Sequence, residues 1–148
     1  AAEKLPEGIE IEDLGKQKRI IDSRNKMSVV VDKSWSIQYV DSHTLSIGPK
    51  NVSEAEANKG IELEFLGMLP ASTKLESRVE DWIKQSNCPE CYSEPSFIND
   101  GTYKVTDKAA LGELFLYFIN QKNNIYLVAV FDSKITYSDI INMVSFSI

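Results

Sequence analysis

The chain has 148 residues, 43% of them hydrophobic, and a formal net charge of −6. That length and apolar content suit one ordinary globular domain able to bury its core without staples. The acidic balance counts against a nucleic-acid binder, a class that is usually basic, and no apolar run approaches the ~20 residues a membrane-spanning helix needs.

The chain opens Ala1-Ala2-Glu3-Lys4, and residues 1–18 hold Pro6, Gly8 and many charged side chains but no aromatic one. This reads as a tether leading into a domain, the kind of stretch that follows a signal peptide or a lipid anchor. The pattern Ile9-Glu10-Ile11-Glu12 can also lie down as an edge strand. The domain organisation is therefore an N-terminal tether or edge segment over 1–18 and a single domain over 19–148. Lys16, Lys18, Arg19, Arg24 and Lys26 gather near this boundary. They read as a solvated face, since no aromatic residues interleave with them to stack on bases.

Short strands are expected at Arg19–Ser23, Met27–Asp32, Trp35–Val40 and Thr44–Gly48, and residues 49–59 read as a polar loop. Asn51-Val52-Ser53 there has the form of a glycosylation sequon. Gly60–Gly67 alternates strictly, with Ile61, Leu63 and Phe65 on one face and Glu62 and Glu64 on the other. Leu75, Val79, Trp82 and Ile83 then form one helical stripe, with Thr73 and Glu76 at capping-box spacing. Phe97–Tyr103 reads as a hairpin turned at Asp100-Gly101. Gly112–Gln121 and Asn124–Asp132, joined at Lys122-Asn123-Asn124, are apolar on both faces. Something must therefore cover each side of a central sheet. Thr136–Val144 is a final helix, with Thr136 or Ser138 to cap it. The expected fold class is α+β: a central, mostly antiparallel sheet with helices on both faces.

Four features resemble the PsbP-like fold family. They are the opening Met27-Ser28-Val29-Val30-Val31-Asp32-Lys33-Ser34-Trp35, the helix ending Asp81-Trp82-Ile83, the hairpin from Tyr117-Phe118 to Ile125-Tyr126, and a closing helix running into Ser145-Phe146. The family includes an extrinsic photosystem II subunit and bacterial envelope lipoproteins such as DcrB and LpqN. The resemblance covers about residues 19–148. It implies a PsbP-like sandwich, an accessory or binding role without catalysis, and a place outside the cytoplasm.

Cys88-Pro89-Glu90-Cys91 is the one chemical motif. A redox pair needs its first cysteine at a helix N-terminus, where the dipole favours a thiolate; here the pair follows a helix. Zinc needs two more ligands, and the chain has one histidine, His43. The expected state is a structural disulfide, Cys88 to Cys91, in an oxidising compartment, with two reduced, inert thiols as the alternative. Two prolines and this bridge would stiffen 89–95. Pro89, Glu90 and Tyr92 are thus candidates for a partner-binding loop, or the loop is a plain connector. Asp41-Ser42-His43 puts triad residue types side by side on one turn, whereas a triad is assembled from distant segments. Glu62 and Glu64 could pair as glycosidase carboxylates, but they read as solvent-facing with ordinary pKa values. Trp35 and Trp82 read as core anchors.

The functional expectation is a non-catalytic extracytoplasmic accessory protein, periplasmic or at the cell surface, acting through a protein partner and compatible with a lipid anchor upstream of residue 1. No catalytic residue, cofactor or metal is assigned. The alternative is a small acidic inhibitor or immunity protein against a toxin or enzyme; a hydrolase ranks last.

Overall fold

The computed structural model of the chain describes residues 5–50, 60–109, 114–131 and 134–146. The sequon at Asn51, most of the 49–59 loop, and the strand positions Gly112, Glu113 and Asp132 lie outside the described residues. In chain order the first strands are β1 (Ile9–Asp13), β2 (Gln17–Asp22), β3 (Met27–Asp32), β4 (Trp35–Val40), β5 (Thr44–Pro49) and β6 (Ile61–Met68). Helix α1 (Leu75–Gln85) follows, then a 3-10 turn at Pro89–Cys91. The rest is β7 (Ser96–Asn99), β8 (Thr102–Asp107), β9 (Leu114–Gln121), β10 (Asn124–Val130), α2 (Tyr137–Met143) and β11 (Val144–Phe146).

These strands make two antiparallel sheets. One has four strands in the order β1-β2-β3-β11, and the other seven in the order β4-β5-β6-β10-β9-β8-β7. This corrects the expected α+β sandwich with helices on both faces. The chain is mostly β, its two helices among the described residues are short, and the inner face of the large sheet is covered chiefly by a second sheet. The physical reason lies in pairing. Ile20, Met27, Val29 and Val31 alternate with polar residues and look like pieces of any half-buried strand. Periodicity says which face is buried and not which sheet the strand joins. The late partner β11 pairs Val144 with Val29, whereas the sequence pattern ends the final helix on Val144 and leaves Ser145-Phe146 as closing residues.

The large sheet divides two cores. Between the sheets lie Ile20, Met27, Val29, Leu45, Ile47, Leu63, Tyr126, Val128 and Val130, with Ile140 of α2. On the outer face, α1 covers Val105, Leu116, Phe118, Ile125, Leu127 and Ala129 with Leu75 and Val79. Alternate residues of β10 thus enter different cores, which is why the strand carries no polar alternation. The turn from β9 to β10 holds Lys122 and Asn123 at φ 49° and 68°, the positive values a tight two-residue hairpin turn requires. At α2 the capping box forms as Thr136 with Asp139. At α1 the expected Thr73–Glu76 box does not form; the helix starts one residue later, behind Lys74, which offers no side-chain cap.

One polar cluster ties the layers together. Asp22 is fully buried and accepts from Arg24 Nε at 3.0 Å, Arg24 Nη2 at 2.9 Å and Asn25 Nδ2 at 3.0 Å. Asn25 Nδ2 also reaches the Ser42 carbonyl at 3.1 Å, and the Tyr126 hydroxyl donates to the Asn25 carbonyl at 2.8 Å. Arg24 lies across Gly8, whose φ is +85° and where a Cβ would meet Arg24 Cγ at 2.5 Å. The cluster fastens the β2–β3 turn to the β4–β5 turn and to the centre of the large sheet.

Candidate functional site

Helix α1 ends as Ser86 turns back, its backbone N–H and Oγ both donating to the Ile83 carbonyl at 3.1 and 2.6 Å. The next turn carries the disulfide: Cys88 and Cys91 are bonded to each other, with Cα atoms 5.4 Å apart. Neither sulfur is then a thiolate available to a metal. From Cys91 the chain is pinned along β8. Lys108 N–H donates to the Cys91 carbonyl at 2.7 Å, Ser93 N–H to the Thr106 carbonyl at 2.9 Å, and Thr106 N–H to Ser93 Oγ at 2.9 Å. Tyr92 makes a single bridge to Asp107. Its ring meets Trp82 edge-on at 5.2 Å, and Trp82 meets Phe118 in the same way at 5.2 Å. Tyr92 is therefore half-buried, joined through Trp82 to the core under α1. Burial, then the charge of Asp107, push its phenol pKa up.

Between α1 and this loop runs a groove of about 390 Å³. Ile83, Pro89, Tyr92 and Pro95 give it an apolar floor, and Glu76, Glu80, Lys84 and Glu94 stand around it. Of the three loop residues proposed from sequence, Pro89 and Tyr92 line the groove, and Glu90 is exposed without lining it. The helix wall was not anticipated. Its signal was present in the spacing Glu76, Glu80, Lys84, which sets the three side chains on one side of a helix, four residues apart.

A second acidic region lies on the same outer face, across β4, β5 and β6. Glu62 pairs with Ser46 and Glu64 with Thr44, while Tyr39 pairs with Ser46 from the far side. Both glutamates are half-buried, and the expectation of ordinary pKa values is corrected. Burial pushes both up; the charge of Asp41 adds to each and that of Glu62 adds to Glu64. The same region holds Asp41, whose carboxylate accepts from the His43 backbone N–H and the Tyr39 hydroxyl, each at 2.9 Å. Those bonds hold Asp41 below the usual range. Neither bond uses the His43 imidazole, which lies against the Phe65 ring with centroids 6.3 Å apart and draws the Glu64 pKa slightly back down, and the Ser42 carbonyl accepts from Asn25. The contiguous trio is a turn, not a relay. Tyr39, 54% exposed, is an aromatic beside the carboxylates that the sequence had not suggested. Glu62 and Glu64 are nevertheless shifted the same way by the same cause, whereas an acid and a nucleophile need environments that separate their pKa values.

Two of the basic residues near the N-terminus are held in ion pairs. Arg24 serves Asp22, and Arg19 pairs with Glu12 at 2.8 Å. Trp35 and Trp82 each pack against one of the two cores. Among the described residues, no group of three or more His, Cys, Asp or Glu side chains is placed to hold a metal ion. No family model matches the chain, and no curated protein matches it.

Proposed function

We propose that this chain is a non-catalytic, extracytoplasmic accessory protein that binds another protein through the groove between α1 and the disulfide loop. The observation that carries this reading is the preformed wall. Residues 91–93 are held on β8 by backbone bonds, the disulfide closes the turn before them, and Tyr92 is anchored on Trp82. A wall already ordered loses little entropy when a partner docks. Disulfides persist in oxidising compartments, so the Cys88–Cys91 bond is compatible with a location outside the cytoplasm. No helix among the described residues is long and apolar enough to cross a membrane. The resemblance to PsbP-like envelope lipoproteins implies the periplasm or the cell surface, and an upstream lipid anchor fits that reading.

A photo-crosslinking residue in place of Glu94, in the native host, is expected to trap a discrete protein, while the same probe in place of Glu10 traps none. Equal trapping at both positions, or none at Glu94, overturns the reading. The acidic rim favours one second reading, an inhibitor that covers a basic enzyme or toxin. A trapped enzyme that loses activity on binding selects it.

A further inference from the structure

We infer that the groove takes a cationic, extended polypeptide segment, with an apolar or proline side chain on the floor and lysine or arginine side chains at the rim; this rests on the protein-binding reading above. Glu76 and Glu80 rise from the helix wall and Glu94 from the loop wall, against a single cation, Lys84. Among the described residues neither Glu80 nor Glu94 has an ion-pair partner. Glu76 accepts a long bond, 3.4 Å, from the Tyr103 hydroxyl, which leaves its charge in place. Among the described lining residues the rim thus sets three acids against Lys84, an excess of negative charge, and opposite charge on a partner is what complements it.

The floor sets the rest of the chemistry. Ile83, Pro89, Tyr92 and Pro95 offer apolar contact that a bare polyamine cannot use, and aromatic–proline surfaces suit an extended, proline-bearing chain. The loop backbone at 91–93 is already spent on β8, so recognition falls to side chains and not to strand addition.

The test uses two fluorescein-labelled linear peptides of equal length, one with lysines flanking a Tyr–Pro core and one with each lysine replaced by glutamate. Titration is followed by anisotropy at low and high salt. The lysine peptide is expected to bind, to weaken at least ~10-fold between 50 and 500 mM salt as screening shortens its reach, and to outcompete spermidine. The glutamate peptide is expected not to bind. The double variant Glu80→Lys/Glu94→Lys is expected to lose at least ~10-fold in affinity. Glu7→Lys/Glu10→Lys, the same change in net charge on exposed residues of the other sheet's edge, is expected to stay within about twofold. All four positions are exposed, and circular dichroism checks that both variants fold. The inference is overturned if the lysine peptide fails to bind, if the glutamate peptide or spermidine binds as tightly, or if both double variants weaken binding equally. If any of these occurs while the Glu94 cross-link still forms, the charge selectivity falls and the protein-binding groove stands.

Discussion

Asp22 and the pair Glu62 and Glu64 are carboxylates on neighbouring sheets, and their surroundings act on them in opposite directions. Asp22 is the more deeply buried, with none of its surface exposed. Burial alone would push its pKa up, yet the hydrogen bonds from Arg24 and Asn25 outweigh it, and the result is a lowered value. Glu62 and Glu64 keep partial contact with water and are raised, by burial first and then by neighbouring acids. The direction is set by what the carboxylate is given as partners, not by how much water it loses. Asp22 receives donors from the Arg24 guanidinium, the Asn25 amide and the backbone N–H groups of both residues; among the described residues the two glutamates receive none. The first region stabilises the ionised fold and the second opposes it.

The comparison breaks most directly at Asp22. Asp22→Ala leaves the Arg24 guanidinium without its acceptor and the Asn25 amide with the Ser42 carbonyl alone, and should cost about 2–3 kcal/mol, at the low end for a buried pair because Arg24 still reaches solvent. Urea unfolding measures it; a loss under ~1 kcal/mol would mean that the cluster is not a structural clamp.

The two regions should also part along the pH axis. Asp22, lowered in the fold, contributes stability that is complete above its unfolded pKa of about 3.9 and is lost as pH falls through its folded value. Glu62 and Glu64, raised in the fold, cost stability when ionised. That cost is absent below their unfolded pKa of about 4.3 and grows as pH rises through their folded values. Acidification from neutral pH should therefore raise the melting temperature first and lower it below pH ~4. In Glu62→Gln/Glu64→Gln the early rise should vanish and the later fall remain. An unchanged curve in that variant would remove the contrast.

The smallest effect is expected for Glu62→Gln alone. It relieves repulsion with Glu64 and Asp41 at neutral pH and should stabilise by under ~1 kcal/mol. Chemical denaturation at pH 7 and pH 4 should show the gain at the higher pH only.

Legibility from sequence followed locality. The double-sided apolarity of 114–119 and 125–131, the positive-φ turn between them, the stripe of α1 and the Thr136 cap are each written within a few residues, and the structure has them. The second sheet was not legible, because β3 finds β11 across most of the chain and alternation names no partner. The Asp22 cluster was missed for the same reason. Asp22 read as the end of a strand, while Ser42 and Tyr126, which complete the cluster through Asn25, come from turns and strands far along the chain. At the candidate site, the loop was visible through its prolines and cysteines. The groove needed α1 laid beside it, and the shift in Glu62 and Glu64 needed Asp41 brought across from another strand.

The bond from the Tyr126 hydroxyl to the Asn25 carbonyl spans 101 residues, and its consequence is one of timing. During synthesis β1, β2 and β3 emerge first and can pair as two local hairpins. Their inner face, with Ile20, Met27, Val29 and Val31, is covered first by β5 and β6, and the cover is completed only when β10 and β11 are made. Isolated hairpins hold together poorly in water, and closing so long a loop is paid before its contacts are gained. The core face of the small sheet is therefore closed last, by the far end of the chain. A chaperone that shields that face until the last strands are made is expected to raise the yield of folded protein.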